Sequence, residues 1–82
     1  MPRYFLHQIR QQGEIRDQEG IVLSDRAAAL ALARRGAAEI LCEEIHQGRP
    51  ELEQRIEVRD EDGALVGIVR FAELLAPGSR IV

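Results

Sequence analysis

Four side chains able to ligate a metal share one side of a helical stretch. Glu39, Cys42, Glu43 and His46 recur at i, i+3, i+4 and i+7. Thiolate, imidazole and carboxylate are the donors that transition metals take. A full coordination sphere needs ligands from a second element, and the sequence offers none. The plainer reading is a solvated helix face, with Arg35 and Glu39 spaced to pair at i, i+4. Cys42 beside His46 has the outline of a thiolate nucleophile, but Glu39 and Glu43 disfavour the anion. Asp60, Asp62 and Gly63 contain part of a calcium loop. Its first ligand position falls on Val58 and its bidentate glutamate position on Val69, so a hairpin turn accounts for these residues better. His7 lies in a strand-like segment with no acid or nucleophile at a telling spacing. It reads as a satisfied side chain at a sheet edge or on an open sheet face.

No phosphate-binding loop, dinucleotide fingerprint or serine nucleophile elbow occurs. The expectation is a protein without enzymatic activity, with no catalytic, cofactor-binding or metal-binding residues and no cofactor. A net charge of -3 speaks against a general nucleic-acid binder, whose affinity comes from neutralising phosphates. All 11 basic residues are arginine. They are spread from Arg3 to Arg80 without a cluster, as coding bias would leave them. Hydrophobic content of 45% and charged content of 30% suit one small globular domain of 82 residues. No apolar run approaches the ~20 residues of a membrane span. Met1-Pro2-Arg3-Tyr4 leads straight into a strand-like pattern rather than a signal peptide. A single cysteine, Cys42, excludes an internal disulfide and fits a reducing compartment. The expected location is the cytoplasm, with no membrane contact.

The longest element to be positioned is one long helix over the stretch Ser24 to Gly48. The stretch has no proline and is dominated by alanine, leucine, arginine and glutamate. Ser24 is the expected N-cap and Gly48 supplies the terminating conformation, with Pro50 preventing a restart. Leu30, Ala33, Ala37, Ile40, Leu41 and Glu44 form one stripe. Its first half is small, and Gly36 predicts close packing that compensates for a helix cost of ~1 kcal/mol.

The remaining elements are strands. Arg3–Arg10 is rich in β-formers, Gln11-Gln12-Gly13 turns, and Glu14–Asp17 returns. Asp17-Gln18-Glu19-Gly20 is a second turn, and Ile21–Leu23 a brief extended segment. Arg55–Arg59 alternates, Asp60-Glu61-Asp62-Gly63 is a hairpin turn, and Ala64–Phe71 returns. Ala72–Ala76 is one helical turn. The chain thus predicts an α+β fold of two layers: hairpin, long helix, hairpin, with the helix across one face of an antiparallel sheet. The domain is expected over residues 1–76, with 77–82 a flexible tail.

Alternation places Tyr4, Leu6, Ile56, Val58, Leu65, Val69 and Phe71 under the helix, with Gly67 beneath its alanines. The opposite face then carries Phe5, His7, Ile9, Val66 and Ile68 among Arg55, Glu57, Arg59 and Arg70. A two-layer domain of this size has nothing of its own to cover that face other than its C-terminal tail. An apolar patch there is a candidate partner surface, made of Phe5, His7, Ile9, Val66, Ile68 and Arg70.

Three motifs occur together: the Met-Pro-Arg-Tyr-Phe-x-His opening, Asp17-x-Glu19-Gly20-x-x-Leu23-x-Asp25 before an alanine-rich helix, and Ile56-x-Val58-x-Asp60-Glu61-Asp62-Gly63. This combination, over about Met1 to Leu75, resembles a family of small bacterial proteins, common in alphaproteobacteria, catalogued as a domain of unknown function. Gln8–Gln12 departs from the aspartate–glycine turn the resemblance implies there. The family implies no activity or site residues. A looser likeness, over Arg3 to Glu44, is to the HicB type of antitoxin domain. That likeness lacks the Pro-Asp-x-Pro-Gly loop and a separate DNA-binding segment.

The leading expectation is an interaction module that self-associates or binds another protein through its open sheet face or a sheet edge. The alternatives are an antitoxin-like regulator binding a toxin or nucleic acid, and a small-ligand or metal binder using His7 or the Glu39–His46 face.

Overall fold

A computed structural model describes residues 1–75. One helix packs on a five-stranded antiparallel sheet, the expected α+β arrangement. Strand β1 (Arg3–Arg10) is followed by β2 (Gly13–Ile15), β3 (Ile21–Val22), helix α1 (Arg26–His46), β4 (Arg55–Arg59) and β5 (Leu65–Arg70), and a 3-10 turn closes the described chain at Phe71–Leu75. The strands run β2-β1-β4-β5, with β3 also pairing with β1. Ile21–Val22 is therefore a true strand, set against Tyr4 and Arg3. The return strand stops at Ile15, short of the expected Asp17, because Asp17 turns its side chain back onto β1. The expected loose tail lies outside the described residues.

Helix α1 starts one residue later than expected. Asp25, not Ser24, is the N-cap: it is extended, and its carboxylate accepts the Ala28 N–H at 2.8 Å. An aspartate there also suits the positive end of the helix dipole. At the other end Gly48 has φ 76°. Its N–H donates to Ile45 O at 2.9 Å and the Arg49 N–H to Glu44 O at 2.8 Å. These two bonds are a Schellman ending, which needs a left-handed residue where glycine carries no steric penalty. No helix among the described residues is long and apolar enough to cross a membrane.

The buried ridge of α1 is Ala29, Ala33, Ala37 and Leu41, one residue per turn. Three of its four positions are alanine, so the backbone comes close to the sheet. The core beneath is Tyr4, Ile56, Val58, Val69 and Phe71, with Leu6, Leu23, Leu30, Ile40, Val66 and Leu74 packed around it. Two expectations about small residues change. Gly67 lies under Leu30 rather than the alanines: a Cβ built there would stand 2.6 Å from Leu30 Cδ2. Gly36 makes no close approach, since a Cβ there would meet nothing within 4 Å.

The larger correction is at β5. The ladder pairs Val58 with Gly67 but Arg59 with Leu65, so Val66 is an extra residue. Such a bulge breaks strict alternation. Val66 packs against the core and leaves the candidate partner face, while Leu65, expected under the helix, is 45% exposed.

Candidate functional site

The outer sheet face is built of three cross-strand rows. Ile9 stands opposite Arg55, which stands opposite Arg70; His7 opposite Glu57, opposite Ile68; and Phe5 opposite Arg59, opposite Leu65. Period-two alternation in β1 and β4 aims Phe5, His7 and Ile9 and then Arg55, Glu57 and Arg59 at this side.

Glu57 is the electrostatic centre of the face. Arg55 reaches its Oε2 through Nη2 at 2.9 Å and Nε at 3.1 Å, and Arg59 reaches its Oε1 at 3.3 Å. The bond from Arg55, opposed by partial burial and reinforced by Arg59, holds the Glu57 carboxyl below the usual glutamate range. Arg59 also donates to Gly63 O at 2.9 Å, tying the row to the hairpin turn.

The face is not bare along β1. The Arg16–Gly20 loop folds onto it and buries His7, which is 7% exposed. The Asp17 N–H donates to His7 Nδ1 at 3.0 Å. Asp17 in turn accepts the Leu6 N–H at 3.1 Å and the Gly20 N–H at 3.0 Å. Its carboxylate thus stands in for a strand carbonyl where β2 has ended and β3 not yet begun. Burial raises the Asp17 pKa, but the N–H bonds from Gly20, Leu6 and Glu19, with the nearby His7, outweigh it and lower the carboxyl below its ordinary range. Phe5 stacks on His7 with centroids 6.4 Å apart and planes at 17°. His7 is therefore buried with its Nδ1 occupied.

Of the six residues expected to form a partner surface, Ile9 and Ile68 remain part-exposed on the outer face, and Arg70 is exposed there. Phe5 is half covered by the loop and His7 is buried beneath it. Val66 is on the packed side. Leu65 is the addition that alternation alone misplaces. Among the described residues no three His, Cys, Asp or Glu side chains gather as a metal site, and Cys42 is exposed and free.

A second polar cluster lies on the opposite side, where the C-terminal end of α1 meets β1 and the segment before β4. Gln54, 1% exposed, donates to both Glu44 oxygens, at 2.7 and 3.0 Å, and accepts from Gln8 at 2.7 Å. Arg10 bridges Glu44 and Glu51, each at 3.1 Å. Burial raises Glu44, but the bonds from Gln54, the Glu51 N–H and Arg10 together lower its pKa. Every buried side-chain polar atom among the described residues has a partner. The cluster is satisfied internally and locks the helix to the sheet. The sequence marks it only by Glu44 standing in an apolar stripe.

No curated protein and no solved structure matches the chain. A family model does match, over residues 3–72, and it spans both faces just described. By that match the chain belongs to the family described as Domain of unknown function (DUF6894).

Proposed function

We propose that the protein is a non-enzymatic interaction module whose working surface is the outer sheet face together with the outer edge of β5. One observation carries this: the two edges of the sheet are finished differently. The β1 side is closed by two strands of 3 and 2 residues with Asp17 filling the gap between them. Short pieces and an inserted carboxylate are devices that keep an edge from pairing further. The β5 side is a 6-residue strand, Leu65-Val66-Gly67-Ile68-Val69-Arg70, that no described residue pairs on its outer side. It contains neither lysine nor proline, and its bulge touches only its first half. Edges of this kind take up another strand.

The test is affinity capture of the tagged protein at native expression level, with Ile68→Glu beside it. A protein captured in stoichiometric amount and lost with Ile68→Glu, the circular dichroism melt being retained, supports the reading. Recovery of the bait alone as a monomer overturns it, as does capture that Ile68→Glu leaves unchanged. Recovery of nucleic acid overturns it in favour of the antitoxin-like class.

A further inference from the structure

Arg55 and Arg70 face each other directly across the β4–β5 ladder. Like charges in this position repel. Arg55 is committed to Glu57, and both oxygens of Glu57 are taken, one by Arg55 and the other by Arg59. Arg70 is exposed and makes no ion pair among the described residues. The outer corner of the sheet therefore holds excess positive charge in a chain whose net charge is -3.

The same corner carries backbone groups that no described residue pairs. The Phe71 N–H donates to Gln54 O at 3.1 Å, one step beyond the Arg55–Arg70 pair. Hydrogen-bonded and non-bonded pairs alternate along an antiparallel ladder. The N–H and C=O of Val69 consequently point at β4, and those of Ile68 and Arg70 point out of the sheet. Ile68 and Arg70 are also the two side chains of this stretch on the outer face.

We propose that β5 takes up an extended acidic segment of a partner protein, in which an aspartate or glutamate lies two positions from an aliphatic residue. Its backbone pairs with the Ile68 and Arg70 amides and carbonyls. Its carboxylate sits beside Arg70 and relieves the repulsion from Arg55. Its aliphatic side chain packs beside Ile68, because residues i and i+2 of a strand share a face. This inference rests on the reading of β5 as the partner edge and adds the chemistry of the partner.

The probe is the acetylated, amidated peptide Thr-Glu-Thr-Val-Thr-Val-Thr, titrated into the full ¹⁵N-labelled chain, with the version carrying lysine for glutamate as its counterpart. The acidic peptide is expected to shift the amides of Ile68 and Arg70, to bind at least tenfold more tightly than the lysine peptide, and to weaken with added salt. Arg70→Glu should invert the preference. It also supplies its own control for folding: a glutamate opposite Arg55 removes the like-charge pair, so its melting temperature should equal or exceed that of the parent. Equal binding of both peptides at these amides overturns the acidic chemistry and leaves the edge reading standing. Absence of shifts at Ile68 and Arg70, while Ile68→Glu still loses its captured partner, overturns the acidic strand but not the interaction module. Concentration-dependent doubling of the mass with shifts confined to β5 overturns it in favour of a second copy of this chain.

Discussion

The side-chain amide of Gln54 donates to Glu44 Oε1 at 2.7 Å, joining a loop residue to the inner stripe of α1. Glu44 also accepts the Glu51 N–H at 3.1 Å and pairs with Arg10. One carboxylate therefore holds the helix end, the connection to β4 and the end of β1 together. Glu44→Ala leaves the Gln54 amide buried with its best acceptor gone. An unmet buried donor costs ~1–3 kcal/mol. The expected result in a urea melt is a loss of that size for Glu44→Ala. A smaller loss is expected for Glu44→Gln, whose carbonyl still accepts from Gln54. Equal losses for the two would show that the charge, not the acceptor, matters.

Acid should weaken the fold through three carboxylates. Asp17, Glu44 and Glu57 all have folded-state pKa values below their ordinary values of 3.8, 4.5 and 4.5. Between the folded and unfolded values the unfolded chain binds more protons, so stability rises with pH there. The contribution is complete above the ordinary values, declines as the pH drops through them, and is lost below the folded ones. Urea midpoints measured from pH 7 to pH 3 should fall accordingly. Asp17→Asn with Glu44→Gln should be less stable than the parent at pH 7 and lose less on acidification. A parallel fall in both proteins would place the acid sensitivity elsewhere.

Gly20 closes the loop that covers His7. Its φ is 70°, and a Cβ there would stand 2.8 Å from both Tyr4 O and the Phe5 ring, one of them immovable backbone. A left-handed non-glycine residue alone costs ~1–3 kcal/mol. Gly20→Ala should destabilise by at least that much and speed hydrogen exchange at the Leu6 amide, whose acceptor is Asp17. A stable variant with an unchanged Leu6 amide would show that the loop adapts without leaving the strand.

Gly36 predicts the opposite sign, and it shows where sequence reasoning stops. The spans Arg3–Arg10 and Arg55–Arg59 are legible to the residue because alternation and propensity agree there. The alanine ridge of α1 is legible from its spacing. What a helical glycine faces is not, because that depends on the tilt of the helix over the sheet. Gly36 stands clear of neighbours, so the close packing expected of it falls instead to the alanines and to Leu30 above Gly67. Gly36→Ala should therefore stabilise, by about 0.5–1 kcal/mol of helix propensity. A destabilised variant would mean the helix approaches the sheet more closely than these distances show. Gln54 is illegible for a related reason: in a run of polar residues, only the fold decides which one is buried.

Leu65 and Val66 carry the last disagreement between pattern and fold. Alternation counted back from Val69 puts Leu65 inside and Val66 outside. The extra residue opposite the Val58–Arg59 step reverses them. Nothing in Ala64-Leu65-Val66-Gly67 announces a bulge, since Gly67 fits a close contact with Leu30 equally well. The reversal decides which residue belongs to the partner face, so it merits a direct test. Leu65→Gln should change stability by no more than ~0.5 kcal/mol, as exposed substitutions do. Val66→Gln buries part of an amide against the core and should cost ~1–3 kcal/mol. If β5 receives a partner strand, Leu65→Gln should weaken capture while leaving the melt alone, and Val66→Gln should lower the melting temperature first. The reverse order of stabilities would restore regular alternation and return Val66 to the outer face.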